Sequence, residues 1–593
     1  MSFHPNEIAR RARVASFIVL GTFLFLTGAF FRTQVVQHER FALKSEQNRL
    51  REVPLPAPRG IIRDRFGAVI AENVPGYSVS ILGQSADSLR ATLQRLSATI
   101  PLAPSQIEET VRKYRRDPTR PTVVLPDADF PVISVLEEHA LDFPGLIIQS
   151  APKRSYPHGP AVSAFVGYTR EITEGQLAAP QYADYEPGQQ IGVSGLESQY
   201  EKLLRGREGT RFVEYDARGR EVRRGAGGRQ DLPPLGAPDL NTNIDLGLQL
   251  YVADSVFGDS LVGGLLAMNP RTGEVLALHS APSFDPNWFI GRLSDERYSE
   301  LSTHPGKPLY NKVMQGRYPP ASTFKLATAI IGMQNNVVRL TDRMPEPCTG
   351  GFVYGNRRFR CWEPAGHGDI TLSRAIELSC DVYFYQLGIR IGLSRLLDGA
   401  TAMKFRERTG IDLPGESSPQ WPASREYWDK RWGPRGWTEA VILNLSIGQG
   451  ENDQTVTSMA RFYSALATGG MAVRPEIVKG RVEREQIFQL TPEQMLGLRN
   501  AMAGVVSATG TAGSAAIRGV VLAGKTGTAQ MPPPLTDHAW FVGFAPAEDP
   551  KILVSVLLVN RQHGYNAARA ASKTIEHYLR QAVAPIVDIE GNR

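Results

Sequence analysis

The sequence predicts an α+β protein with one N-terminal membrane helix and a large body outside the membrane. An uncharged apolar run of 18 residues, Val14 to Phe31, is long enough to cross a bilayer as a helix. From Gly263, two apolar runs flank the turn sequence NPRTG, which is typical of a β-hairpin. Helical patterns then continue to about residue 510, and apolar strands and a final helix follow. This order predicts a sheet covered by helices.

Three arginines, Arg10, Arg11 and Arg13, stand just before the apolar run. The positive-inside rule keeps such a flank in the cytoplasm and sends the following chain across the membrane. A cleaved signal peptide is the alternative, but the run is long for one and no small-x-small cleavage site follows. We therefore expect a cytoplasmic tail over residues 1–13 and an uncleaved, single-pass anchor over residues 14–35.

The body is expected to contain two domains. Residues 36 to about 52 are polar and favour a helical stalk, and the prolines that follow exclude helix. A stretch rich in Gly and Pro, residues 223–240, is typical of a linker. We therefore predict one domain over residues 36–230 and a second over residues 241–593. Composition is ordinary for globular protein, and the net charge of +6 without a dense basic block gives little support to nucleic-acid binding.

Ser322 and Lys325 stand where a helix is expected to begin, after Pro319 and Pro320. Their spacing of three residues puts both side chains on one helix face. A partly desolvated lysine amine can take the serine proton and create a nucleophile, and the helix N-terminus stabilises a developing oxyanion. Alone, this pattern is also that of a capping serine beside a surface lysine.

Two further motifs carry hydroxyls and charge. Lys525, Thr526, Gly527 and Thr528 follow an apolar run and are expected on a strand, where the lysine and hydroxyls can bind a carboxylate and the glycine allows close approach of a substrate. The sequence Ser379-Cys380-Asp381 places a hydroxyl that can relay a proton to Lys325. A polar strand end and a helix cap are the structural alternatives.

Together and in this order, the three motifs resemble the signature of the penicillin-binding and serine β-lactamase superfamily. The chain as a whole resembles class B penicillin-binding proteins, in particular the elongation-type group called penicillin-binding protein 2. The resemblance covers nearly the whole chain, and its residues include these stretches: RGIIRDRFG (59–67), RSYPHGPAVSAFVGY (154–168), GVSGLESQYEKLLRG (192–206), AMNPRTGEVLAL (267–278), GRYPPASTFK (316–325), SCDVYFYQLG (379–388), GIDLPGE (410–416) and KTGTAQ (525–530).

The resemblance implies an elongated pedestal, or dimerisation-type, domain over residues 36–230 and a transpeptidase domain with an antiparallel sheet covered by helices. It implies a D,D-transpeptidase of the inner membrane and periplasm that cross-links peptidoglycan stem peptides in the cell wall during elongation and so supports cell shape. Ser322 is then the nucleophile and the residue that penicillin acylates, Lys325 the general base and Ser379 the proton shuttle. Lys525, Thr526 and Thr528 hold the terminal carboxylate, and the N–H groups of Ser322 and Thr528 form the oxyanion hole.

Asp381 departs from the superfamily pattern, in which asparagine is common at this position. An acid beside Lys325 and Lys525 favours their protonated forms. The resemblance also implies partners: a RodA-like SEDS glycosyltransferase that polymerises glycan and an MreC-like scaffold. The charged, turn-rich stretch around Arg59 and Asp64 is a candidate for partner contact. A serine β-lactamase and a penicillin-sensing scaffold without turnover are the alternative functions.

The cysteines of the chain, Cys348, Cys361 and Cys380, all fall in one 33-residue window with His367. Cys₃His is the ligand composition of a structural zinc site, although the spacings are not those of a short zinc knuckle. Export makes a Cys348–Cys361 disulfide the main alternative, and free buried thiols a further one. A metal at Cys380 would tether the loop from Cys348 to Gly368 against the catalytic cleft.

Overall fold

The computed structural model describes residues 5–36, 50–82, 85–116, 118, 121–143, 145–215, 221–224, 231–291 and 293–583. It divides into two compact units. The first unit comprises residues 1–58, 75–153 and 206–236, and the second comprises residues 59–74, 154–205 and 237–593. The region predicted as one pedestal domain thus contributes residues to both units.

The N-terminal helix of the first unit, Pro5–Phe31, contains an apolar segment, Arg13–Phe31, that is long and apolar enough to cross a membrane. This segment has a mean hydropathy of 2.2 and none of it is buried in protein. Its exposed face consists of large apolar residues such as Phe17, Leu24 and Phe25. Exposed apolar surface of this extent is stable in a lipid environment rather than in water.

The rest of the first unit combines a small antiparallel sheet with helices around an apolar cluster. Leu50–Leu55 is a strand because it pairs with Gly209–Tyr215 along its full length, so the helical stalk predicted over residues 36–52 is wrong at its C-terminal end. Residues 37–49 of that stalk lie outside the described residues. The other elements of this unit are Ala86–Thr99, Pro104–Arg116 and Phe130–Glu138 as helices and Thr122–Ala128 and Glu221–Arg224 as strands.

The second unit is built on a five-stranded antiparallel sheet. The strands lie in the order Val275–Ala281, Gly263–Met268, Ile552–Leu558, His538–Ala545 and Ala523–Ala529. The first two form the predicted hairpin, and every residue of the two strands Ile552–Leu558 and His538–Ala545 is buried. Such strands are covered on both faces, here with the helices Val456–Ala467 and Gly564–Val583 packed on the sheet.

The remaining elements of the second unit are mostly helical. Its other helices are Ser163–Val166, Glu174–Leu177, Gly195–Gln199, Glu201–Leu204, Leu246–Tyr251, Asp295–Thr303, Lys325–Gln334, Leu372–Glu377, Asp381–Ile391, Leu393–Ala402, Glu426–Trp432, Val441–Ser446 and Pro492–Val505. Its short strands are Ile62–Arg63, Thr169–Glu171, Gln190–Gly192, Leu240–Asn241, Gly351–Tyr354, Arg357–Arg360, Met471–Val473 and Arg484–Gln486. The strands Val69–Ile81 and Leu146–Ser155 begin in one unit and end in the other.

The charged stretch from Arg59 to Gly67 is largely internal to the second unit. The buried Arg59 guanidinium makes ion pairs with Glu197 at 2.8 Å and Glu201 at 2.7 Å. The buried Asp64 carboxylate accepts two main-chain N–H groups of its own turn, at 2.8 and 2.7 Å. These two residues therefore stabilise the unit from within, and the large apolar side chain exposed in their turn is Phe66.

Candidate active site

Ser322 lies in a 3₁₀ turn, Ala321–Phe324, that leads directly into the helix starting at Lys325. Ala321 adopts a φ of +50°, in the left-handed region that residues other than glycine rarely occupy. Its N–H donates to the carbonyl of Gly448 at 2.8 Å, which holds this turn in place. The Ser322 side chain is partly exposed, whereas Lys325 is fully buried. A substrate can therefore reach the hydroxyl while the amine behind it is shielded from water.

The Lys325 amine is surrounded by oxygen atoms of the Ser379-Cys380-Asp381 motif. Its Nζ lies 2.8 Å from the Ser379 carbonyl, 3.3 Å from the Ser379 hydroxyl and 2.7 Å from Asp381 Oδ1. Within the part of the chain that the structure describes, Ser322 Oγ makes no hydrogen bond, to Lys325 or to any other group. The amine thus donates to oxygen atoms of this motif, and it needs a free lone pair to accept the proton of Ser322.

Trp362 fixes the motif from the opposite side. Its main-chain N–H donates to Asp381 Oδ2 at 3.0 Å, and its indole N–H lies 3.1 Å from both the Leu378 and the Ser379 carbonyls. Ser379 has a φ of +55°, so the hydrogen bonds to its carbonyl help to hold an unfavourable backbone conformation. Sequence reasoning missed Trp362; its position directly after Cys361 was the available signal.

Lys525 lies on the edge strand Ala523–Ala529, as the sequence predicts, and its side chain is completely buried. Burial lowers the pKa of Lys525 well below its ordinary value, the positive charge of Lys325 lowers it further, and Asp381 only partly opposes these effects. Asp381 therefore favours the protonated form of Lys525, as expected, but burial outweighs this single acid and the net shift of the pKa is downward. A bound carboxylate would restore the favourable environment for the ammonium form.

The two threonine hydroxyls beside Lys525 already have partners. Thr526 Oγ1 is hydrogen-bonded to Thr511 Oγ1 at 2.7 Å, and Thr528 Oγ1 accepts the N–H of Gly564 at 3.3 Å. These contacts fix both rotamers, and each hydroxyl can still donate or accept a further hydrogen bond. The strand therefore presents two oriented hydroxyls next to a buried amine.

Gly527 allows the segment that carries Ser322 to approach the strand Ala523–Ala529 closely. A Cβ atom at this position would lie 2.8 Å from the Pro320 carbonyl and 3.2 Å from the Thr323 methyl group. Both atoms belong to the segment that carries Ser322, so the missing side chain lets this segment pack directly on the strand. The sequence predicts that Gly527 allows close approach of a substrate. The structure adds that the segment around Ser322 packs against this glycine, which the sequence alone did not reveal.

Cys348, Cys361, His367 and Cys380 come together beside this site. Their ligand atoms all lie within 4.8 Å of one another, and His367 Nδ1 lies 3.6 Å from Cys348 Sγ and 3.5 Å from Cys361 Sγ. A tetrahedral zinc ion with bonds of about 2.3 Å to sulfur and about 2.0 Å to nitrogen requires ligand atoms about 3.5–3.8 Å apart. The separations therefore fit a metal site, and the three cysteines are free thiols rather than a disulfide.

The electrostatics of the cluster also favour metal binding. A hydrogen bond from the Cys380 thiol lowers the pKa of Cys361, and the same interaction raises the pKa of Cys380. The downward shift at Cys361 favours the thiolate, the form in which cysteine binds metals. The cluster is joined covalently to the catalytic groups, because Cys361 precedes Trp362 and Cys380 lies between Ser379 and Asp381.

Two family models match the chain. The model described as penicillin-binding protein transpeptidase domain matches residues 263–578, which contain all the residues of the candidate site. The model described as penicillin-binding protein dimerisation domain matches residues 54–231. The two matches together extend from the end of the N-terminal region to the C-terminal helix.

Curated relatives are similar over almost their full lengths. A protein named peptidoglycan D,D-transpeptidase MrdA from Haemophilus influenzae is 32% identical, with 98% of this chain and 93% of the relative covered. The MrdA proteins of Acinetobacter baumannii and Escherichia coli are 30% and 29% identical, with 95% and 96% of this chain covered and 86% and 94% of the relatives.

Solved structures are similar in fold as well. A complex of the penicillin-binding protein PBP2 with MreC from Helicobacter pylori matches with a TM-score of 0.78 and 25% identity, covering 90% of this chain and 99% of the other. A Pseudomonas aeruginosa PBP2 in complex with WCK 5153 matches with a TM-score of 0.66 and 29% identity, covering 89% of this chain and 96% of the other.

Proposed function

The chain belongs to the family of penicillin-binding protein transpeptidases and is a peptidoglycan D,D-transpeptidase, and we propose that it acts through an acyl-enzyme on Ser322. The observation that carries this assignment is the position of the Lys325 amine. It is buried one helical turn after Ser322 and contacts the Ser379 hydroxyl at 3.3 Å. A buried amine one helical turn from one hydroxyl and in contact with another is suited to proton transfer from a serine nucleophile.

In the proposed reaction, Ser322 Oγ attacks the carbonyl of the penultimate D-Ala and its proton passes to the deprotonated Lys325 amine. The main-chain N–H groups of Ser322 and Thr528 bind the oxyanion. Ser379 relays the proton to the departing terminal D-Ala amine, which leaves as the acyl-enzyme forms. An amine of a neighbouring stem peptide then attacks the ester and loses a proton, and Ser322 Oγ recovers one as the cross-link is completed.

The edge strand Ala523–Ala529 orients the substrate in this proposal. Lys525 regains its ammonium form when the terminal carboxylate of the donor peptide enters, and Thr526 and Thr528 donate hydrogen bonds to the same carboxylate. Gly527 keeps the strand close to Ser322. Asp381 holds Lys325 in place in the resting enzyme.

Labelling with a fluorescent penicillin tests the assignment. Wild-type protein in membranes is expected to be labelled covalently, and Ser322→Ala is expected to lose labelling completely while it remains folded. Lys325→Ala should lose acylation as well, because the hydroxyl then has no base. Ser394→Ala, at an exposed serine on the helix Leu393–Ala402, is the matched control and should label like wild type. Labelling of Ser322→Ala at the wild-type rate would overturn the assignment.

The apolar helix supports an inner-membrane location with the N-terminus in the cytoplasm and the body in the periplasm. Two facts support this orientation: the three arginines before the apolar segment and the periplasmic position of peptidoglycan. Residues 1–13 would then be a cytoplasmic tail and residues 14–35 the anchor. The body would comprise a pedestal over residues 36–230 and a transpeptidase domain over residues 241–593.

The partners we propose are stem peptides, β-lactams, a RodA-like glycosyltransferase and an MreC-like scaffold. The similarity to a solved PBP2–MreC complex supports the scaffold, and similarity to a solved peptidoglycan synthase complex supports a polymerising partner. The latter structure matches with a TM-score of 0.70 over 98% of this chain.

The metal we propose for the cysteine cluster is zinc, held by Cys348, Cys361, His367 and Cys380. With four protein ligands, zinc would have no open position for water and would act as a structural cross-link. The chain itself performs the chemistry, and the cluster fixes the loop that carries Trp362.

A further inference from the structure

A two-stranded ribbon lies directly before Trp362. Its strands, Gly351–Tyr354 and Arg357–Arg360, pair antiparallel, with Phe352 opposite Phe359 and both rings buried. From Arg358 to Trp362 the residues alternate strictly between exposed and buried. Arg358, Arg360 and Trp362 therefore form one exposed row, while Phe359 and Cys361 point inward.

The exposed row is positively charged and has no acid to neutralise it. Within the described ranges of the chain, Arg358 and Arg360 make no ion pair with any carboxylate. The nearest acids along the loop are engaged elsewhere: Glu363 accepts the N–H of Ala365, and Asp369 is paired with Arg343. Two adjacent guanidinium groups thus face solvent, ready for an anionic ligand.

One end of this row reaches the catalytic groups. Trp362 is hydrogen-bonded to Asp381 and to the Ser379 carbonyl, which are the groups that hold Lys325. The base of the row is fixed too, because the Tyr385 hydroxyl donates to the Arg360 carbonyl at 3.1 Å. The arginines consequently lie on a rigid extension that begins at the site of acyl transfer.

We propose that Arg358 and Arg360 form a subsite for a side-chain or α-carboxylate of a stem peptide, separate from the terminal carboxylate held by Lys525. The inference rests on the proposed transpeptidase function. Stem peptides contain γ-linked glutamate or similar residues, whose free carboxylates lie away from the reacting D-Ala–D-Ala end. Arginine is suited to such groups because its planar fork can hold a carboxylate through two hydrogen bonds.

A chemical double-mutant cycle tests the proposal. The substrates are a synthetic stem pentapeptide with free carboxylates and the same peptide with its internal carboxylates amidated. The proteins are wild type, Arg358→Gln/Arg360→Gln, and Arg395→Gln as a control at an exposed arginine of the helix Leu393–Ala402. Cross-linking by wild type and by the control should fall about fivefold on amidation, the order expected for a partly solvated charge-assisted contact. The double variant should react about fivefold slower with the free peptide and show no further loss on amidation.

Penicillin labelling tests the proposed acyl-transfer function separately from the proposed arginine subsite. If Ser322 carries the reaction and the double variant is folded, wild type and variant are labelled to the same final stoichiometry. Arg358→Lys/Arg360→Lys should keep part of the preference for the free peptide, because it keeps both charges but loses the planar fork. The subsite is overturned if labelling is complete but the double variant keeps the full amidation penalty, or cross-links the free peptide as fast as wild type.

Discussion

At the scale of single residues, the site depends on two lysines in opposite environments. Both amines are buried, but Lys325 has an acid, Asp381, at 2.7 Å, whereas among the described residues the Thr526 carbonyl, at 3.2 Å, is the hydrogen-bond partner of Lys525. Placing two titratable groups in different environments is a known way of moving their pKa values apart. Asp381 pairs with the Lys325 amine, whereas burial lowers the pKa of Lys525, which a bound carboxylate would raise again.

Replacing Lys525 by methionine should lower activity and raise stability. Without the lysine amine that binds the ligand carboxylate, penicillin acylation should be slower by about 10–100-fold. The lowered pKa of Lys525 means that the unfolded chain binds this proton more readily than the folded protein does, so wild-type stability increases as pH rises toward the ordinary lysine value. The variant should therefore be more stable by about 1 kcal/mol near neutral pH, and this advantage should shrink as pH approaches 10. Thermal unfolding of both proteins from pH 6 to pH 10 measures it, and an advantage that grows with pH would contradict it.

A site residue could be predicted from sequence when it lies in a short motif, but not when its contacts join distant segments of the chain. Ser322, Lys325, Ser379 and Lys525 were recognisable because each lies in a short motif whose spacing carries the chemistry. The contact of Trp362 with Asp381 joins segments 19 residues apart, and the packing of Gly527 on Pro320 joins segments still farther apart. No periodicity or spacing rule reports contacts of that kind.

At the scale of elements, the loop from Cys348 to Gly368 connects the cysteine–histidine cluster, our proposed metal site, to Lys325, the proposed general base. The connection consists of two pairs of covalent neighbours, Cys361–Trp362 and Cys380–Asp381, and the hydrogen bond from the Trp362 main-chain N–H to Asp381. The loop contains one short ribbon and little other regular structure, so cross-links rather than a large core must hold it in position.

Removal of the metal should therefore weaken the site as well as the loop. Protein purified without chelator should contain one zinc ion per chain, and both Cys361→Ser and His367→Ala should lose it. A strong chelator should lower the unfolding temperature and slow penicillin acylation by about tenfold, the order seen when the supports of a metal site are removed. Added zinc should restore both. Metal-free protein with a Cys348–Cys361 disulfide and full acylation activity would contradict the metal site.

Trp362→Phe tests whether the hydrogen bond from Trp362 to the Ser379-Cys380-Asp381 motif affects acylation independently of metal binding. The substitution keeps an aromatic ring but removes the indole N–H that donates to the Ser379 carbonyl. One such hydrogen bond is worth about 1 kcal/mol, so the acylation rate constant should fall about fivefold. Zinc content, final labelling stoichiometry and affinity for penicillin before acylation should stay unchanged. Trp432→Phe, at a tryptophan of similar exposure, is the control; an equal loss in both variants would refute the positioning role.

The structure separates buried from exposed residues in the charged stretch around Arg59. Charge and turn residues favoured a partner surface, but Arg59 pairs with Glu197 and Glu201, more than a hundred residues later. Breaking a buried ion pair on one side typically costs about 3–5 kcal/mol. Substitutions at Arg59 would thus impair folding, and Phe66, which is 76% exposed, is the better probe of a partner contact in this turn.

At the scale of the whole molecule, the order of elements was predictable and the division into units was not. The hairpin, the edge strand of Lys525 and the terminal helix follow from local patterns of apolar residues. The second compact unit, however, takes in residues 59–74 and 154–205, which are remote in sequence from residues 237–593. Local composition marks linkers, but only long-range packing decides to which unit a segment belongs.

The whole-molecule prediction concerns orientation across the membrane. Arg10, Arg11 and Arg13 precede the uncharged apolar run from Val14 to Phe31, so the N-terminus should remain in the cytoplasm and the residues after the run should be exported. A reporter active only outside the cytoplasm should therefore be active when fused after Arg593, and a reporter that folds only in the cytoplasm should be inactive there. Replacing the three arginines by glutamate removes the charge bias and should lower the exported fraction, whereas lysine replacements should preserve it. Cytoplasmic-reporter activity after Arg593 in the wild-type sequence would refute this orientation, and it would also place the body on the side of the membrane where no peptidoglycan is cross-linked.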